Sequence, residues 1–149
     1  MTQTTTTVTL TRQSGFQFLI DFGLDTPALL SDEPAPLGQG DGPAPNHLLL
    51  ASVANCLSAS LVFALGKFKQ DPGALKATAT ATVGRNEQNR LRIQAIDVQL
   101  ELQRPGASFE YLDRVLAQFE EFCTVSMSVR QGIPIGVTGR DADGAVLKG

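Results

Sequence analysis

Residues 46–69 read NHLLLASVANCLSASLVFALGKFK, and the reading of this stretch decides the fold. Pro45 stands just ahead of it, Asn46 can cap a helix, and Lys67 and Lys69 suit the negative end of a helix dipole. Asp71, Pro72 and Gly73 then stop it, so the spacing predicts one long helix from Asn46 to about Lys69. Apolar residues occur nearly all the way round. Such a helix must be covered on several sides, by a sheet and a second helix or by a sheet and another subunit. Leu48 to Gly66 carries no charge and approaches the roughly 20 residues that span a bilayer. Ser52, Asn55, Ser58 and Ser60 lie within it, and the rest of the chain patterns as globular. A helix buried in protein is expected, with no membrane partner.

On the N-terminal side, Thr5 to Arg12 alternates threonine with Val8 and Leu10, and Phe16 to Phe22 alternates aromatic and aliphatic residues against Gln17 and Asp21. Both read as half-buried strands joined by a turn at Gln13, Ser14 and Gly15, with a short third strand around Ala28 to Leu30. Ser31 to Pro45 holds Pro34, Pro36, Gly38, Gly40, Gly42, Pro43 and Pro45, which makes it a loop. Its glycines only loosely match a dinucleotide fingerprint, because Pro43 and Pro45 follow at once and no strand-loop-helix context surrounds them.

On the C-terminal side, Ala77, Ala79, Ala81 and Val83 alternate with Lys76, Thr78, Thr80 and Thr82, a strand of period two. A second strand shows Leu91, Ile93 and Ala95, then changes phase to Ile96, Val98, Leu100 and Leu102, as a bulge near Ala95 allows. Ser108, Tyr111, Leu112, Val115, Leu116 and Phe119 open an amphipathic helix. A short helix is expected from Thr124 to about Gln131, stopping at Gly132. Ile133, Ile135 and Val137 read as a last strand, with a possible further strand at Ala145 to Leu147.

The chain has 149 residues, 42% hydrophobic and 18% charged, enough for one sizeable core, and residues 1–149 are expected to form a single domain. The net charge is -3 and the 12 basic residues are scattered, so no stripe exists to neutralise phosphates and nucleic acid is not expected as a partner. The start, MTQTTTTVTL, does not read as a secretory signal, and a cytoplasmic location is the working assumption. In a reducing compartment Cys56 and Cys123 should be free thiols, and any disulfide between them transient or catalytic.

Four residues apart, Ser52, Cys56 and Ser60 form one stripe of small, weakly polar groups on the helix. The stripe is open to two readings: close helix packing around a small buried cysteine, or a thiol facing a crevice. Cys123 follows Glu120 and Glu121, whose charge should disfavour a thiolate there. If one thiol attacks a peroxide and the other resolves the sulfenic acid, Cys56 is the attacker and Cys123 the resolver; the residues alone equally allow two unrelated cysteines that never meet. His47 is the only histidine, and with no G-x-S-x-G, H-E-x-x-H or C-x-x-C pattern neither a serine triad nor a metal site has local support. No cofactor is expected.

The Gly-rich loop ending at Pro45, HLLLASVANCLSASL on a long helix, the Ala/Thr strand hairpin, the amphipathic helix and FCTVSMSV together resemble the OsmC/Ohr family over about Phe16 to Gly139. The resemblance implies an α+β fold, an OsmC-like intertwined homodimer whose antiparallel sheets pack on long central cysteine-bearing helices. It implies a thiol-dependent peroxidase acting on organic hydroperoxides or hydrogen peroxide. Cys56 would be peroxidatic and Cys123 resolving, with a dithiol or lipoylated protein as reductant.

The family pattern also places an acidic residue just after the proline at the helix start, paired with an arginine that stabilises the thiolate. Here those positions are Asn46 and His47, and the proline expected after the second cysteine is Thr124. Asn46 could orient an arginine only through a neutral acceptor, and a neutral bond is weaker than a charged one. Arg12 is the candidate arginine. Asn46 and Cys56 are separated by about 15 Å of helix, so a shared site needs a bridging arginine or the other chain. The alternative to an enzyme is a non-catalytic OsmC-like protein that binds a small apolar ligand or thiol.

Overall fold

The computed structural model describes residues 2–149, which form two compact units. The first comprises the chain up to Asn55 together with Leu75–Glu101, the second Cys56–Ala74 together with Leu102–Gly149.

In the first unit, β1 (Thr9–Ser14), β2 (Gln17–Asp21) and β3 (Leu29–Ser31) make a three-stranded antiparallel sheet in that order. The hairpin and third strand expected from the alternation are present. β1 starts later than Thr5 because Thr9 already pairs with Asp21, the last residue of β2. Gly15, at φ 50°, makes the tight turn, a conformation that costs glycine little.

The loop from Asp32 to Ala44 is tied to itself around one carboxylate. Asp32 is 2% exposed, and its oxygens accept from the backbone N–H groups of Glu33 at 2.7 Å, Asp41 at 3.1 Å and Gln39 at 3.2 Å, and from Gln17 Nε2 at 3.3 Å. Burial alone would raise the pKa of Asp32. The Asp41 N–H, the Gln17 amide and the Glu33 and Gln39 N–H groups outweigh it and hold the carboxyl below its usual range. Gly38 is required because a Cβ there would overlap Glu33 O and Asp32 Oδ1. A cavity of about 400 Å³ opens beside this knot, lined by residues that include Phe16, Gln17, Asp32 and Leu37.

Helix α1 runs Pro45–Gly66. It is long and apolar enough to cross a membrane by length and composition, as the sequence suggested. Its buried residues are Val53, Leu57, Ser60, Leu61, Ala64 and Leu65, a stripe at helical spacing, while Val62 and Phe63 stay exposed. It ends three residues before Lys69. Lys69 adopts φ 56°, and the Phe68 and Gln70 N–H groups turn back onto Leu65 O, so the last lysines close a turn instead of extending the helix.

β4 (Leu75–Arg85) and β5 (Leu91–Leu102) pair with each other. The half-buried face of β4 carries Leu75, Ala77, Ala79 and Ala81, with the intervening side chains exposed. In β5 the half-buried positions step from Ile93 to Ile96 and then by twos to Leu102, the change of phase seen in the sequence.

In the second unit the expected amphipathic helix is broken into pieces: a 3-10 turn at Gly106–Ser108, α2 at Leu112–Gln118 and a second 3-10 turn at Phe119–Phe122. Tyr111 precedes α2 at φ 60° and ψ 22°, a left-handed conformation unusual for a tyrosine, and stacks on Phe68 with ring centroids 5.0 Å apart. The short helix α3 (Thr124–Gln131) ends at Gly132 as expected. The strand expected over Ile133, Ile135 and Val137 is absent, and these side chains are 57%, 85% and 62% exposed. A period-two pattern identifies a face that could be buried but not a neighbour to bury it. The chain pairs again only at β6 (Gly139–Arg140) and β7 (Val146–Lys148).

Candidate functional site

Both cysteines belong to the second unit, and the structure brings them together. Cys56 lies on α1 and Cys123 at the junction between the Phe119–Phe122 turn and α3. Both are reduced, Cys56 half-buried and Cys123 fully buried at 0% exposure. The two sulphurs lie close enough for each to act on the titration of the other.

The setting of Cys123 follows from its place in the chain. With φ -86° and ψ 97° it is the N-cap of α3, and the Ser126 N–H donates to its Sγ at 3.4 Å. Serine hydroxyls usually serve in this place, because the first turn of a helix leaves N–H groups without partners. Here a sulphur does so. Ser60, one turn beyond Cys56 on α1 and buried, also faces the Cys123 sulphur. The buried Ser126 hydroxyl has no hydrogen-bond partner of good geometry, yet it lies close enough to this sulphur to favour a negative charge there.

The two thiols are pushed in opposite directions. Burial raises Cys56, the Val125 N–H pulls it down, the hydrogen bond to Cys123 and the charge on Cys123 push it up again, and the Thr124 N–H opposes them; the net direction is upward. Burial also acts to raise Cys123, but the Ser126 hydroxyl and N–H, the Cys56 thiol and Ser60 outweigh it and bring Cys123 below the usual thiol range. The groups that favour a negative charge therefore gather at Cys123, at the start of α3. The expectation that Glu120 and Glu121 would disfavour a thiolate at Cys123 is corrected. Glu120 is tied to Arg130 at 2.9 Å, and the groups that act on the sulphur are uncharged donors.

Phe122, next to Cys123 in the chain, meets Phe63 edge to face at 5.6 Å, and Lys67 Nζ lies 4.2 Å from the centre of the Phe122 ring and 5.1 Å from that of Phe63. A separate cavity of about 490 Å³ in this unit is lined by Gly106, Phe109, Tyr111, Leu112, Asp113 and Arg114, and reaches neither sulphur.

The other residues expected at the site lie in the first unit. His47 Nδ1 accepts from the Ala44 N–H at 3.0 Å. With Pro45 as the first helical residue, this is the reach-back half of a capping box with histidine in place of the usual Glu or Gln. Arg12 is exposed, and its Nε donates to Gly15 O at 2.9 Å across the β1–β2 turn. Asn46 is exposed in the first turn of α1. Ser126 was not singled out in the sequence, although a small polar residue three positions after a helix-starting cysteine is a local capping pattern. Among the described residues no group of three or more His, Cys, Asp and Glu side chains is placed to hold a metal ion.

A comparison with curated proteins finds no match. Solved structures show the fold. The chain is similar to an OsmC-like protein from Mycoplasma pneumoniae at 14% identity and a TM-score of 0.70, covering 89% of this chain and 91% of that one. It is similar to an organic hydroperoxide resistance protein OsmC from Legionella pneumophila at 17% identity and a TM-score of 0.64, covering 87% and 92%. A third likeness is to the organic hydroperoxide resistance protein OhrB of Bacillus subtilis, at 16% identity and a TM-score of 0.64 over 85% and 91%. The α+β architecture read from the sequence agrees with these folds. The family model for OsmC-like protein matches residues 38–138, a span that contains both cysteines and about two thirds of the chain. By that match the chain belongs to the OsmC-like protein family.

Proposed function

We propose that the chain is a thiol-dependent peroxidase that reduces organic hydroperoxides or hydrogen peroxide with Cys56 and Cys123. The observation that supports this reading is that two free thiols, one partly accessible and one buried, lie close enough to act on each other's titration. The Cys56 sulphur attacks the terminal peroxide oxygen, the O–O bond breaks, and the alkoxide leaves as an alcohol once protonated. Cys56 is then a sulfenic acid. The Cys123 sulphur attacks it, forming the disulfide and releasing the oxygen as water, and an external dithiol or lipoylated protein restores both thiols.

A second copy of the chain would cover the apolar surface left bare. Val62 and Phe63 on α1 are 46% and 56% exposed, and Ile135 and Leu147 more so. A homodimer in the cytoplasm is the state in which this reading places the protein. Consumption of cumene hydroperoxide with dithiothreitol tests it, the expected result being turnover in the wild type and none in Cys56→Ser. Equal rates in the two would rule out catalysis by this route.

One observation favours a second reading. The family's carboxylate is replaced at the start of α1 by Asn46 and His47, and His47 is used as a helix cap. A binding protein for a small apolar ligand or thiol would keep the fold without turnover, and a molecule retained in native mass spectrometry would support it.

A further inference from the structure

The proposed peroxidase reaction needs Cys56 to lose a proton, and the second unit supplies an acceptor for it. Cys123 Sγ sits at the start of α3 with the Ser126 N–H at 3.4 Å, buried from solvent, and close enough to Cys56 to act on its titration. Two buried hydroxyls flank it, Ser60 from α1 and Ser126 from α3, and that of Ser126 has no other partner. An unpartnered buried hydroxyl is costly unless a charge arises beside it. The charged side chains on this side are Glu120, paired with Arg130 at 2.9 Å, Glu121, and Lys67, whose Nζ lies 4.2 Å from the centre of the Phe122 ring.

We propose that Ser60 and Ser126 are positioning residues that hold the Cys123 sulphur as a proton acceptor, so that Cys123 takes the Cys56 proton as Cys56 attacks the peroxide, and only afterwards closes the disulfide. This inference rests on the peroxidase reading and adds a first task for Cys123. The step balances within the pair. Cys56–SH gives its proton to the Cys123 thiolate as the S–O bond forms and the O–O bond breaks; the departing alkoxide takes that proton from Cys123–SH and leaves as the alcohol. Cys56 is then a sulfenic acid, and Cys123, a thiolate again, attacks it with loss of hydroxide. A group that accepts a proton in the transition state typically gives 10²- to 10⁴-fold.

The test is the rate of Cys56 sulfenic acid formation in a single turnover with cumene hydroperoxide, trapped with dimedone and followed from pH 5 to 10. In wild type the rate is expected to rise below the ordinary thiol range. In Ser60→Ala and Ser126→Ala the rise moves up by about one pH unit, the roughly tenfold that loss of a hydrogen bond to a charged group represents. Ser126→Thr, which keeps the hydroxyl, should restore the wild-type profile and so separate positioning from folding. In Cys123→Ala the rise should fall in the ordinary thiol range, with a rate at pH 7 at least about tenfold lower. A Cys123→Ala variant with the wild-type rate and profile would overturn the inference while leaving the peroxidase reading intact. Peroxide consumption by Cys56→Ser equal to wild type would remove both.

Discussion

The Cys56 and Cys123 sulphurs lie close enough to act on each other, and of the two only Cys123 is sealed from solvent. A peroxide can reach only the half-buried partner. Oxidation with one equivalent of hydrogen peroxide is therefore expected to give a single Cys56–Cys123 bond within one chain, seen as a cross-linked pair in a non-reducing peptide map. Monomers cross-linked to each other through sulphur would contradict the contact.

The knot around Asp32 makes an acid-range prediction. Its carboxyl is held below the unfolded value, so the stability it contributes is present above the unfolded pKa of about 3.9 and is lost as pH falls through the lower folded value. Asp32→Asn removes that contribution. The melting temperature of the variant should lie below wild type at pH 6, with the gap closing as both are taken below pH 3. A gap that stays constant with pH would show that the carboxylate charge is not what ties the loop.

His47 is predicted to matter for the start of α1. His47→Ala removes the acceptor of the Ala44 N–H, and loss of a helix cap costs about 1 kcal/mol. Chemical denaturation should show that loss, with peroxide turnover per folded molecule unchanged. A fall in turnover without loss of stability would give His47 a part in the chemistry.

Leu65 is 0% exposed at the end of the buried stripe of α1. Leu65→Ala should destabilise by about 2–5 kcal/mol, the range for a cavity left by a buried leucine. Urea unfolding measures it, and a change under about 1 kcal/mol would mean that this end of the helix is not packed as described.

The parts of the fold legible in the sequence were those set by local rules. Pro45 and the apolar run located α1, Gly132 stopped α3, and the Ala/Thr alternation identified β4 and which of its faces is covered. What failed depended on neighbours. Ile133 to Val137 has the alternation of a strand but no strand beside it, and Lys67 and Lys69 suit a helix end whose turn is closed by backbone bonds to Leu65. At the site, Cys56 and Ser60 could be placed on one helix face from their spacing. The approach of Cys123 could not, because it depends on α3 starting at the cysteine itself. The carboxylates at Glu120 and Glu121 misled for a related reason: adjacency in the chain said nothing of Arg130, ten residues on.

Because the sulphur of Cys123 is also the cap of α3, oxidation and helix stability share one atom. Tied into a disulfide, that sulphur can no longer carry a negative charge and is a weaker acceptor, and the amide of Ser126 is left poorly satisfied. The first turn of α3 should then fray, exchanging its amide hydrogens faster after each encounter with oxidant and slowing again on reduction. The redox history of the pair is thereby carried beyond the two sulphurs as a loosening of the backbone.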